Sequence, residues 1–558
     1  MKVSSIVLAL LAASSNVVFG VAKKHENLFD ASTSTNTKKK KPKQPKKQPK
    51  QDEDDEGPPF SPEIFYILAG IQALTPVVKE HETPIAARFA NYYDATNWNC
   101  VAAFSGSYMD SLTKLRPSVT SPDTASHTTK NRAVCLTQAT ASISDLFFGG
   151  IDAYLTAMEQ FEELAIEEEV PTSMKDCLAA VNNSRRNLRL GKRHLSAVDT
   201  CLGEIALEAN YDPTTMGHVI AVQTYAYALS DGFNMLGNDD GCTSSCRPYS
   251  DTSGYSPVNA TGRWQPLIDD NGKGFCYEQK FVTPHIGTKA KFRYLPESDR
   301  DERIVRAPTY SKSRGSEMEA VIAKMATLDD YKKVEIEAFD DKLYTTTQII
   351  GAFVNKLLQD GYVDSELGQD GYILSLERLL HFVQGITAVE LDSIIIAWKE
   401  KASYDLVRPT SVVKELGDEE ITTWALNSGI TTFKARDFEA YMRVMPHPEY
   451  TSGSSCLFEA VKDYVNAYLT EIGMDPTSFP ITFPPVNPGE SKVEPGITPS
   501  STITLQYGSI DEMGDAGCES RFNGGMHFYD SVPAGIELCS GIGNHGVDGT
   551  FSLIQSGM

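Results

Sequence analysis

The sequence predicts a mostly α fold of helix bundles joined by long irregular loops. Apolar residues recur at three- and four-residue spacing, with charges between them, over 143–169, 174–207, 317–359, 375–407 and 455–473. Two stretches lack that period: 208–315, dominated by Gly, Pro, Asp, Ser and Tyr, and 474–517, rich in Pro and Thr. No internal repeat is visible.

In chain order, residues 1–20 read as a secretory signal: Lys2, an apolar run from Ile6 to Ala13, and Phe19-Gly20 as the cleavage point. The run is too short to span a bilayer. Residues 21–60 form a disordered linker, with eight lysines and no acid between Lys38 and Lys50, then a wholly acidic run from Asp52 to Glu56. A helical N-terminal region follows over 61–207, then the irregular segment 208–315, then a C-terminal helical domain over 316–558 that includes a further expected helix at 433–442. The irregular segment has two candidate roles, a cover over a site entrance or a contact between copies in a homo-oligomer.

The chain has 558 residues, is 41% hydrophobic and has a formal net charge of −23, enough for a sizeable core and the wrong sign for nucleic acid as a main partner. No later segment has an uninterrupted apolar run of membrane-spanning length, so no span is expected. Ten cysteines without tight metal spacing, and the sequons at Asn182 and Asn259, fit an exported protein, secreted or bound in the cell wall. Their pairing is not readable from spacing.

Three segments of the C-terminal domain carry chemistry. Lys401 and Arg408 are seven residues apart, nearly two helical turns, and so are expected on one face of a helix that Pro409 ends. Thr451-Ser452-Gly453-Ser454 precedes a helical run, where free N–H groups and the positive end of the helix dipole favour an oxyanion and Gly453 permits close approach. Arg521 and His527 flank Gly524-Gly525, read as a turn into a helix beginning near His527. Together these make a site for a tetrahedral oxyanion, phosphate or vanadate, with one nitrogen on its axis.

The pattern Lys-x6-Arg-Pro, then Ser-Gly, then Ser-Arg-x5-His resembles the signature shared by vanadium-dependent haloperoxidases and type 2 phosphatidic acid phosphatases. Arg263-Trp-Gln-Pro-Leu267 and Phe281-Val-Thr-Pro-His-Ile-Gly287 are similar to segments of the bacterial chloroperoxidase branch. The resemblance spans roughly 205–545. It implies a vanadate cofactor whose equatorial oxygens meet Lys401, Arg408, Arg521, the Ser452 hydroxyl and the Gly453 N–H, with His527 on vanadium. It implies hydrogen peroxide, halide and an organic molecule as reaction partners.

One position departs from the pattern. The family's acid–base histidine is Ser454 here, and a hydroxyl does not store a proton at neutral pH as imidazole does. His447 is the candidate substitute. Trp398 matches the fungal chloroperoxidases whereas His447 matches the algal bromoperoxidases, so the halide pocket is of mixed type; Lys342 is a candidate extra cation beside it. The alternative activity is an acid phosphatase acting through a phosphohistidine at His527. A non-catalytic phosphate-binding protein that adheres through its lysine tail is a third reading.

Overall fold

The computed structural model describes residues 82–104, 129–148, 202, 206, 210–239, 241, 247–270, 276–308, 314–359 and 373–555. The leader, the lysine-rich linker, the Asn182 sequon and Cys177, Cys201, Cys242 and Cys246 lie outside those residues.

Helices dominate. In chain order they are α1 (Thr83–Ala103), α2 (Thr129–Phe148), α3 (Pro213–Ala228), α4 (Ile286–Lys289), α5 (Asp299–Glu302), α6 (Arg314–Met325), α7 (Asp330–Asp340), α8 (Lys342–Gln359), α9 (Ile373–Tyr404), α10 (Pro409–Lys414), α11 (Gly453–Glu471), α12 (Ile510–Asn523), α13 (Ser531–Cys539) and α14 (Ile542–Gln555). Three antiparallel two-stranded ribbons accompany them: β1 (Ile268–Asp270) with β2 (Cys276–Glu278), β3 (Glu420–Ala425) with β4 (Gly429–Lys434), and β5 (Ile481–Thr482) with β6 (Gln506–Tyr507).

The axis of the molecule is α9. Leu380, Val383, Ile386, Val389, Ile394 and Ile396 leave no polar face, which a helix tolerates only when it is surrounded. It packs against α1, α11 and α14, and α11 in turn against α12, α13 and α14. Arg378–Tyr404 is long and apolar enough to cross a bilayer, yet its most apolar stretch is wholly buried among these helices. One polar residue inside it is tied off: the Asp392 carboxylate accepts the backbone N–H groups of Arg293, Tyr294 and Leu295 at 2.6, 2.9 and 2.9 Å. A large apolar core runs from Ala86 to Leu553, with a small second cluster of Tyr92, Ala95 and Ala228.

Local expectations at five places give way to what the tertiary structure holds. The expected helix at 433–442 is the end of strand β4 and a 3-10 turn at Ala435–Asp437. Ile421-Thr-Thr-Trp424 and Ile430-Thr-Thr-Phe433 are β-branched and aromatic, and Asn427 turns the chain at φ 58° between them. Helix α3 lies inside the segment read as irregular, with Asp212 capping it through Thr215 N at 2.9 Å and Pro213 at its first turn. The expected loop over 474–517 contains β5, β6 and the start of α12, capped by Ser509.

Helix α9 ends at Tyr404, so Lys401 and Arg408 do not share a helix face. Asp405 turns the chain at φ 52°, and Pro409 starts α10 rather than ending α9, with Arg408 extended before it (φ −80°, ψ 152°). Likewise α12 stops at Asn523, and Gly525 turns at φ 73°. His527 therefore sits in a loop, four residues before α13.

Candidate functional site

Arg408, Arg521, His447, His527, Gly453, Ser454, Trp398 and Lys342 meet around one cavity of about 30 Å³. The first six come from the three motif segments and the turn before α11, which are far apart in the chain. The helix ends, not the helix faces, deliver them.

Segment 447–451 is the hinge of the arrangement. The buried Lys401 ammonium donates its three protons to the carbonyls of Pro448, Glu449 and Thr451, at 2.9, 3.0 and 2.5 Å. Lys401 therefore stands one layer behind the cavity wall, against Gly453, where a Cβ would come to 3.4 Å from its Cε and 3.6 Å from the Trp398 ring. Arg408 reaches the same segment: its Nε donates to His447 O at 3.1 Å and its Nη1 to Met526 O at 3.0 Å. It also meets two ring nitrogens, His527 Nε2 at 3.2 Å from Nη1 and His447 Nδ1 at 3.0 Å from Nη2, and Nη2 donates to Pro448 O at 3.5 Å.

Ser452 caps α11, its oxygen accepting from Ser455 N at 3.3 Å and Ser455 Oγ at 2.8 Å. Those bonds leave the Ser452 proton unused. Ser452 is buried behind the wall, whereas Gly453 and Ser454 form it, at the positive end of a 19-residue helix. Arg521 is held by Asp340 at 2.9 Å and by Met526 Sδ at 2.9 Å, and its buried Nε has no hydrogen-bond partner. The partly buried Lys342 opens α8, its Nζ donating to Phe339 O and lying 5.1 Å over the Phe458 ring. Trp398 donates from Nε1 to Val282 O at 2.8 Å and packs against the His447 ring at 4.7 Å.

These groups strain against burial and one another. Burial, with Arg408 beside it, holds Lys401 well below its ordinary value. Burial brings the Arg408 guanidinium down to about 10, Glu449 opposing and Arg521 adding to the shift. Burial and Arg521 bring Lys342 down to about 7. His527 and His447 are both held well below the usual imidazole value, first by burial and then by the neighbouring cations, so both rings are neutral.

Four cations, Lys342, Lys401, Arg408 and Arg521, thus face two carboxylates, Asp340 and Glu449. A surplus of buried positive charge and an unpaired guanidinium N–H fit an oxyanion. Among the described residues no group of three or more His, Cys, Asp or Glu could cage a bare metal ion. The donor set suits a tetrahedral oxyanion gripped through its oxygens, with one histidine nitrogen available to its centre.

The sequence reading missed Glu449, the buried acid of this site, whose Oε1 accepts from His527 Nδ1 at 2.9 Å and from Phe528 N at 3.1 Å. Its only signal was a lone acid in an otherwise uncharged turn. Also missed were Asp340, beside the Lys342 that was singled out, and Thr83, which brings the first turn of α1 to the cavity.

Segment 208–315 contributes no lining residue among those described. It buttresses the loops behind the wall: Trp264 N donates to Asp405 O at 2.9 Å, Val407 N to Gly262 O at 3.1 Å, and Val282 N to Pro446 O at 3.1 Å. Gly287 packs so closely on α9 that a Cβ would overlap the Lys399 backbone. The two motif stretches at 263–267 and 281–287 therefore brace the site from outside.

Residues 381–556 match the family model of the VCPO second helical-bundle domain. Three crystal structures share the architecture of most of the chain. The holo form of a bacterial vanadium-dependent chloroperoxidase aligns with a TM-score of 0.68 at 20% identity, covering 85% of this chain and 93% of that one. The chain has the vanadium haloperoxidase fold. The apo form of a bacterial vanadium-dependent chloroperoxidase aligns equally well, at 0.68 and 20%, over 85% and 95% of the two chains. A bacterial vanadium-dependent iodoperoxidase gives 0.53 at 16%, over 90% and 98%. A comparison with curated protein sequences returns no match.

Proposed function

We propose that this protein is a secreted vanadium-dependent haloperoxidase that uses hydrogen peroxide to oxidise bromide or chloride and halogenate an organic molecule. The observation that carries the reading is the buried surplus of positive charge around a cavity onto which one neutral histidine nitrogen, His527 Nε2, faces. Vanadate held there would supply a Lewis acid that activates peroxide.

The chain's own residues would do the rest. Arg408 and Arg521 neutralise the oxyanion from two sides, with the Lys401 charge one layer back, and the unpaired Arg521 Nε gains a partner. The Gly453 N–H donates from the start of α11, with the Ser452 hydroxyl just behind it. His527 offers Nε2. Trp398, His447 and Lys342 form the wall that receives halide, joined by Ile394, Leu457 and Met445, which exclude water. His447, neutral at rest and set between Trp398 and Arg408, is the imidazole closest in kind to the one missing at Ser454.

Purified protein loaded with orthovanadate is expected to brominate a β-diketone only when peroxide and bromide are both supplied. The His527→Ala variant is expected to retain no stoichiometric vanadium. Hydrolysis of a phosphate ester without vanadate, and no bromination, would move the assignment to a phosphatase using His527 as nucleophile. That second reading is favoured only by the shared oxyanion cage; Ser454 leaves its leaving alkoxide without an acid.

A further inference from the structure

His527 lies in the loop between α12 and α13, so no helix holds its ring. Two contacts do. Nε2 stands 3.2 Å from Arg408 Nη1, and a guanidinium can only donate, so Nε2 must accept. The ring proton is therefore on Nδ1, 2.9 Å from Glu449 Oε1. The same oxygen accepts the Phe528 backbone N–H at 3.1 Å, which ties down the residue after the histidine. Glu449 is fully buried, and its backbone carbonyl accepts from Lys401 at 3.0 Å. One residue thus links the axial histidine to a cation of the cage.

We propose that Glu449 is the positioning residue for His527. By holding the proton on Nδ1 it keeps Nε2 unprotonated at the cavity, beside Arg408, and raises the donor strength of that nitrogen. The inference rests on the haloperoxidase reading for its consequence: Glu449 would give the site its preference for vanadate, whose centre accepts a nitrogen ligand, over free phosphate, whose centre does not. Both anions meet the same cations, so the cage alone does not separate them. A carboxylate behind His527 would strengthen its bond to vanadium and, as a negative charge, slightly oppose the electrostatic grip on either anion.

The test is calorimetric titration of the full chain with orthovanadate and, separately, inorganic phosphate, without peroxide or halide. Wild type is compared with Glu449→Gln, Glu449→Ala and, as a reference, His527→Ala. Glu449→Gln keeps an acceptor oxygen and the shape, and removes the charge. It is expected to weaken vanadate by about 10- to 100-fold while phosphate binds no more weakly than in wild type. Glu449→Ala is expected to lose the preference as fully as His527→Ala does. Equal losses for both anions in Glu449→Gln, or an unchanged ratio, would overturn the proposal and leave Glu449 a structural residue.

Because Glu449→Ala can fail to fold, nitrogen-15 NMR of wild type gives an independent reading. A proton on Nδ1 and a bare Nε2 in His527 are expected. A proton on Nε2 would overturn the proposal whatever the titrations show. If wild type binds the two anions equally, the haloperoxidase reading fails, and the NMR spectrum still decides whether Glu449 sets the tautomer.

Discussion

Lys342 shows how one residue can make the site respond to pH. Burial and the Arg521 charge bring it to about 7 from 10.5, so its charge is lost as pH rises through neutrality. Over the same range Glu390, which accepts a hydrogen bond from Thr346 one turn along α8, loses its proton, burial having raised it to about 7. The first removes a positive charge and the second adds a negative one near Lys342, so both make the site less positive. Affinity for sulfate, an anion that does not itself titrate here, is therefore expected to fall between about pH 6 and pH 8, and Lys342→Met should lower affinity at pH 6 and flatten the fall. A pH-independent sulfate affinity in wild type would show that Lys342 does not reach the bound anion. For stability the sign is opposite: the unfolded chain holds this proton up to its higher pKa, so the Lys342 contribution to stability rises with pH from about 7 towards 10.5.

At the scale of elements, the site is an assembly of helix ends, and close helix contacts position them. Gly535 in α13 packs on the start of α11, where a Cβ would overlap Ser452 O and press on Cys456 N at 3.1 Å. Both neighbours are backbone and cannot swing aside. Gly535→Ala is expected to destabilise the protein by about 1–3 kcal/mol, as overpacking does, and to weaken phosphate binding by displacing the cap and the Gly453 N–H. Calorimetric melting and phosphate titration measure the two effects; lost stability with undiminished phosphate affinity would mean that the start of α11 does not hold the anion.

At the scale of the whole molecule, covalent ties reinforce the bundle. Cys100–Cys135 joins α1 to α2, and Cys456–Cys539 joins α11 to α13 across 83 residues, beside the anion site. Replacing Cys456 and Cys539 together by Ser is expected to cost about 2–5 kcal/mol of stability, read as a lower unfolding midpoint in urea. An unchanged midpoint would show that the bond does not form in the purified protein.

Much of this was legible in the chain itself. The periods over 317–359, 375–407 and 455–473 mark helices found within a few residues of those limits, and Ser452 marks a helix start, because periodicity and capping act within one or two turns. Arg408, Gly453, Arg521 and His527, singled out by residue type and spacing, do line one cavity. Where two local signals compete, local reading failed: the expected helix at 433–442 gave way to the end of a ribbon and a 3-10 turn because the β-branched residues of 429–434 pair with 420–425, and Arg408 left the helix because Pro409 favours a new one. Convergence was beyond any local signal. Arg408 and His527 are 119 residues apart, and Glu449 meets His527 across 78. Only the packing of α11, α12 and α13 around α9 brings such residues within hydrogen-bond reach, because side-chain contacts extend a few ångströms whereas sequence patterns see only neighbours along the chain.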